Sequence, residues 1–176
     1  SLALPIWMLT ESINTAFMPW SFERFSKGKL DIVVGASYLL LIGLFIIGVL
    51  YSILLFFTFD LIVGEAFKNV LYPALILIWA GWFKLAYYCV IKGLFFSEKT
   101  NYLPLISILS GFVYLGLIYF NINSLTLIDL SIYMNFLYII MFVGVFILSQ
   151  LKFPQPWRQL KSIGKVIKLL KNRILD

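Results

Sequence analysis

Five apolar blocks, at about 3–22, 31–57, 71–95, 103–121 and 128–150, fill most of this 176-residue chain. Each is long enough for a helix, rising about 1.5 Å per residue, to cross roughly 30 Å of hydrocarbon. None alternates with a period of two, and an open sheet in lipid would leave backbone groups unpaired, so strands and a β-barrel are rejected. The expected fold class is all-α: a polytopic helical membrane protein with about five transmembrane helices. Composition supports it, with 62% hydrophobic and 12% charged residues against roughly 45–50% and about 25% in soluble domains. A chain with so few polar groups cannot cover a water-facing surface, and one secretory leader would not account for five blocks.

Short polar segments separate the blocks: Lys27-Gly28-Lys29, Gly64-Glu65, Ser97-Glu98-Lys99-Thr100-Asn101 and Asn121-Ile122-Asn123-Ser124. Pro73 and Pro104 fall near helix starts, where a missing N–H costs little. Pro19 falls inside the first block and is expected to bend or end that helix.

Basic residues give an orientation. Arg24, Lys27 and Lys29 follow the first block, Lys99 with Lys92 nearby follows the third, and Lys152, Arg158, Lys161, Lys165, Lys168, Lys171 and Arg173 follow the fifth, whereas the alternate loops hold only Lys68. By the positive-inside rule the basic loops and the C-terminal tail are expected to be cytoplasmic. An odd number of spans then puts Ser1 outside, and with no initiating Met this predicts the C-terminal part of a larger transporter-sized protein, the alternative being a processed small membrane protein.

Several chemistries are excluded. The chain has one cysteine, Cys89, and no histidine, so it lacks an intrachain disulfide, the usual zinc donor sets and the histidine-based nucleophilic triads. It has no Walker-type phosphate loop. No enzymatic role, metal or resident cofactor is expected.

Away from the block ends, two charged residues interrupt the blocks, Glu11 in the first and Lys84 in the third. Such groups face a bundle interior or a wet cavity, because lipid exposure is costly. If both helices run inward, their depths differ by about 6–9 Å, a gap that a lysine side chain largely closes. Either the two line a cavity where Lys84 attracts an anionic group and Glu11 pairs with it when empty, or they form a static ion pair, or Glu11 reaches a headgroup region. Asn14 and Thr15 follow Glu11 by three and four residues and share its face, as cavity lining or as helix-packing groups; Ser12 does not share it. Trp79, Trp82, Tyr87 and Tyr88 read as ordinary membrane-helix aromatics.

The segment 153–176 differs from the rest. Leu160, Ile163, Ile167, Leu170 and Ile174 recur at helical spacing beside Lys161, Lys165, Lys168 and Lys171, which predicts a basic amphipathic helix on an anionic leaflet. Its position after a span favours membrane lipids over nucleic acid as partner.

Ile13-Asn14-Thr15-Ala16-Phe17-Met18-Pro19-Trp20-Ser21-Phe22-Glu23-Arg24-Phe25, Gly64-Glu65-Ala66-Phe67 and Phe95-Phe96-Ser97-Glu98-Lys99-Thr100 resemble segments of Wzx-type polysaccharide flippases, within the multidrug and oligosaccharidyl-lipid/polysaccharide exporter superfamily. The resemblance extends over essentially the entire chain, as five of about twelve helices. Gly111-Phe112-Val113 and Asn123-Ser124-Leu125 depart from it, where many relatives carry an Asn and a Gly-rich turn. It implies alternating-access movement of undecaprenyl-pyrophosphate-linked oligosaccharide across the bacterial inner membrane, for O-antigen or capsule assembly. Lys84 would then meet the anion and Glu11 would serve as counter-ion or couple opening to a proton or sodium gradient. Other glycan-assembly proteins are implied partners. A non-transport scaffold of such an assembly and a related multidrug exporter are the competing readings.

Overall fold

The chain, as a computed structural model, is described over residues 2–62 and 65–174, without the side chains of residues 62, 65–67, 170 and 172–174. Of the features named above, Ser1, Gly64, and the side chains of Glu65, Ala66, Phe67, Leu170, Arg173 and Ile174 lie outside the described residues. Six α-helices follow in order: α1 Leu4–Ser26, α2 Leu30–Ile62, α3 Leu71–Phe96, α4 Leu103–Phe120, α5 Leu127–Lys152 and α6 Lys161–Ile174, with a 3₁₀ turn at Glu65–Val70 before α3. No strand occurs among the described residues.

Local chemistry sets several boundaries. Pro5 and Pro104 sit in the first turns of α1 and α4, where their fixed φ suits a helix and no amide is lost. A capping box starts α5: the Thr126 hydroxyl accepts from the Asp129 amide while the Asp129 carboxylate accepts from the Thr126 amide. Pro19 does not end α1, which runs on to Ser26; the packing of Phe22 and Phe25 against Phe96 of α3 offsets the missing hydrogen bond.

Inter-helix contacts fix the directions. Along α1 and α3, Trp7 Nε1 donates to the Leu77 carbonyl at 3.0 Å, Thr10 Oγ1 to the Gly81 carbonyl at 3.2 Å, and Phe22 meets Phe96. Residue numbers rise together, so the two helices are parallel. Trp82 Nε1 donates to the Leu41 carbonyl and Trp79 packs on Phe45, which makes α2 antiparallel to both. Asn135 Nδ2 of α5 donates to the Ile76 carbonyl at 3.0 Å, and further along Phe142 and Phe146 pack with Val90 and Leu94, so α5 is parallel to α3. Ile106 of α4 lies against Gly144 and Leu103 packs with Val145, an antiparallel pair. Thus α3 is central, flanked by α1 and α5 in the same direction.

Four helical segments, Leu30–Leu61, Lys68–Phe96, Leu103–Phe120 and Leu127–Lys152, are long and apolar enough to cross a membrane. The first expected span does form a helix of 23 residues, yet it stands apart from these four because Thr10, Glu11, Ser12, Asn14 and Thr15 dilute its hydropathy. Since α1 runs beside α3 from Trp7 to Phe25, it nevertheless covers nearly the length of a spanning helix.

Exposed surfaces agree with lipid as solvent. Ile42, Ile46, Leu50, Ile53, Phe57 and Leu61 form an exposed stripe at helical spacing along α2. Leu105, Ile108, Leu109, Phe112, Leu115 and Tyr119 do the same on α4. Contiguous apolar surface on this scale is foreign to soluble monomers. The chain is an all-α polytopic membrane protein.

One end of the bundle collects the basic residues. The C-termini of α1, α3 and α5 meet there through Phe25, Phe96 and Phe153, with ring centroids 5.4–6.1 Å apart. Lys99 Nζ donates to the Lys152 carbonyl at 2.7 Å, satisfying the end of α5 and complementing its dipole. The expected tail is helical only from Lys161, because Pro154 and Pro156 keep the preceding segment extended or turned. Rather than lying free, α6 packs on α2. Its Lys165 pairs with Asp31 at 2.5 Å, and Val166 is buried.

Candidate functional site

Trp7 and Glu11 lie one turn apart on α1, and Lys84 and Tyr88 one turn apart on α3, so each pair shares a helix face. Close approach of the two helices brings the pairs together. A Cβ on Gly81 would stand only 3.1 Å from Ile6 and 3.4 Å from Trp7, so glycine at this position lets the α1 side chains reach the α3 backbone.

Lys84 Nζ lies 2.5 Å from Glu11 Oε1, and the Tyr88 hydroxyl donates to the same carboxylate at 3.0 Å. Three rings surround the ammonium, with centroids at 4.9 Å (Trp7), 5.7 Å (Tyr88) and 5.9 Å (Tyr138 of α5). Ring faces attract a cation electrostatically, more strongly where water is scarce. Trp7 also meets Tyr138 edge-on at 5.6 Å, closing the floor of a seam between α1 and α5. The pair is asymmetric: the Lys84 side chain is 15% exposed and Glu11 48%. The cation is sheltered, and the carboxylate opens to the surface near the middle of the bundle.

Of the residues expected to form the site, the structure brings Glu11 and Lys84 into direct contact. Asn14 is half-buried, one turn further along the same side of α1, and Thr15 is exposed with its hydroxyl donating to the Glu11 carbonyl at 2.9 Å. Among the described residues, neither side chain joins the Lys84 cluster. The polar surface of α1 is nevertheless continuous, since Glu11, Ser12 and Thr15 are all exposed. A cavity of about 350 Å³ at the far end, lined by Pro73, Leu77, Tyr114 and Leu130 among others, is apolar and reaches neither Glu11 nor Lys84.

Tyr88, Trp7 and Tyr138 were not marked as site residues by the sequence. Tyr88 stands four residues after Lys84 and Trp7 four before Glu11, a spacing that becomes informative once α1 and α3 are paired; nothing local marks Tyr138. Lys92, counted with the basic loop, is instead fully buried. Its Nζ reaches back to the Tyr88 carbonyl at 3.2 Å and sits 4.6 Å from the Phe17 ring centroid. Among the described residues no carboxylate lies within ion-pair distance of it. A buried ammonium with one carbonyl and one ring is incompletely solvated. Lys92→Met should therefore leave thermal stability unchanged or raise it, by up to about 3 kcal/mol, as read by unfolding in detergent.

No family model, curated protein or solved structure matches this chain.

Proposed function

We propose that the chain forms one wall of a carrier that moves an anionic, lipid-linked oligosaccharide across the membrane by alternating access, as its resemblance to Wzx-type flippases implies. The observation that carries this reading is the exposed Glu11 beside the sheltered Lys84 at mid-bundle depth. Where α2 and α4 present only apolar surface at that depth, α1 presents a carboxylate, two hydroxyls and an ion pair. Lipid would not tolerate that surface, so a water-filled cavity or a facing bundle must cover it. Such midplane sites between two helical bundles are where alternating-access carriers hold their substrates.

In this mechanism an arriving pyrophosphate displaces Glu11 from Lys84. The ammonium then neutralises the phosphate, and its ring cage keeps it in place. Released Glu11 is free to take a proton or sodium ion, which couples opening to a gradient. The glycan occupies the wet space between the walls, the prenyl chain stays in lipid, and no covalent bond changes. The basic end of the bundle faces the cytoplasm of the bacterial inner membrane.

The test is surface glycan display in cells lacking their own flippase, with the complete reading frame supplied. The unmutated protein should restore display in its native background, and Lys84→Ala should abolish it at equal membrane abundance. Failure of the unmutated protein would overturn transport and favour a scaffold role.

A further inference from the structure

We propose that the groove between α1, α2 and α6 holds an acyl chain of an anionic phospholipid whose phosphate is taken by Arg24 and the α6 lysines. This site is separate from the Glu11–Lys84 seam and does not depend on the transport reading.

The groove is a cavity of about 290 Å³ lined by Phe17 and Trp20 of α1, Ala36, Leu39 and Leu40 of α2, and Val166 of α6. Every lining side chain is apolar apart from the Trp20 indole N–H, so water finds no set of partners there, while an acyl chain does. A glycan headgroup is excluded by the same chemistry. Cations gather at its basic-end mouth. Arg24, one turn beyond Trp20 on α1, stacks its guanidinium 5.5 Å from that ring centroid, and among the described residues no carboxylate pairs with it. The terminal nitrogens of its planar fork match the oxygens of a phosphate diester.

The α6 helix completes the site. Lys165 is committed to Asp31 and pins α6 against the first turns of α2, at the depth where that span enters the membrane. Lys161, Lys168 and Lys171 remain exposed, and among the described residues they have no acidic partner. Leu160 and Ile167 are exposed beside them. A basic edge next to an exposed apolar face is the arrangement of helices that lie in an anionic interface. The apolar groove and the unpaired cations together select a lipid of the basic-end leaflet over a soluble phosphate.

The full chain, purified in detergent and delipidated, would be incubated with phosphatidylglycerol or phosphatidylcholine of matched chains. Retained lipid would then be counted by native mass spectrometry. Each basic side chain at an anionic surface contributes roughly a fivefold preference, so phosphatidylglycerol should be retained at least about fivefold over phosphatidylcholine. Arg24→Gln should lower that preference about fivefold, whereas Lys99→Gln, at the same end but off the groove, should preserve it. Val166→Phe should lower retention of both lipids by filling the groove. Equal retention of the two lipids would overturn the site, and so would a preference in Arg24→Gln as large as in the unmutated chain, which would leave only diffuse attraction by surface lysines.

Discussion

Lys84→Met should destabilise the bundle by about 2–3 kcal/mol, and adding Glu11→Gln should recover most of that loss. Removing the lysine strands a carboxylate at mid-bundle depth with only the Tyr88 hydroxyl as donor. A fully buried charge left this way costs about 3–5 kcal/mol; the smaller figure reflects the open side of Glu11, which is 48% exposed. Neutralising Glu11 in the same chain removes the stranded charge. The two residues are in contact, so their effects are expected to be strongly non-additive. Thermal unfolding of the single and double variants in detergent checks this, and equal losses in both would mean that the pair contributes nothing electrostatic. The double variant also separates carrier from scaffold. A static pair replaced by two neutral side chains leaves function intact, whereas a carrier that has lost its anion ligand folds and does not transport.

Five helices were legible because lipid imposes long apolar runs, four of them long and apolar enough to span, and the structure moves the ends of the expected blocks by five residues at most, the largest shift being the extension of α2 to Ile62. Glu11 and Lys84 were legible for the complementary reason, as the ionisable groups that interrupt those runs. Their pairing followed from parallel helices and a common rise, an argument about depth that needed no contact information. The ring cage was not legible, since Tyr138 belongs to α5 and reaches Lys84 only through tertiary packing. Lys92 misled for a different reason. Near a loop, a lysine ordinarily extends to the interface, yet this one turns back toward Tyr88 and Phe17. Its spacing of eight residues from Lys84 placed both on one face of α3. Which helix covers that face is decided by the approach of α1, and nothing local encodes that approach.

The second large effect is expected at Gly35, where α6 crosses α2. A Cβ on this residue would lie 2.7 Å from the Ser162 carbonyl carbon and 2.9 Å from Val166 Cγ2, and a backbone atom cannot swing aside as a side chain can. Even Gly35→Ala must therefore lift α6. Lifting it exposes Val166, which burial favours by about 1.5–3 kcal/mol. It also strains the bond that the Tyr38 hydroxyl donates to the Trp157 carbonyl, worth about 0.5–1.5 kcal/mol. Together these correspond to an increase of roughly 30-fold to 2,000-fold in the undocked population. Trypsin reads that population directly, because Lys161, Lys165 and Lys168 are cleavable once α6 opens. Gly43→Ala is the matched control: it lies in the same helix, gains the same helix propensity, and its added Cβ meets nothing within 4 Å. Rapid cleavage in Gly35→Ala with none added in Gly43→Ala would show that contact at the crossing point holds the helix. Equal rates in the two variants and the unmutated chain would mean that Lys165–Asp31 and the lipid surface hold α6, with Gly35 incidental.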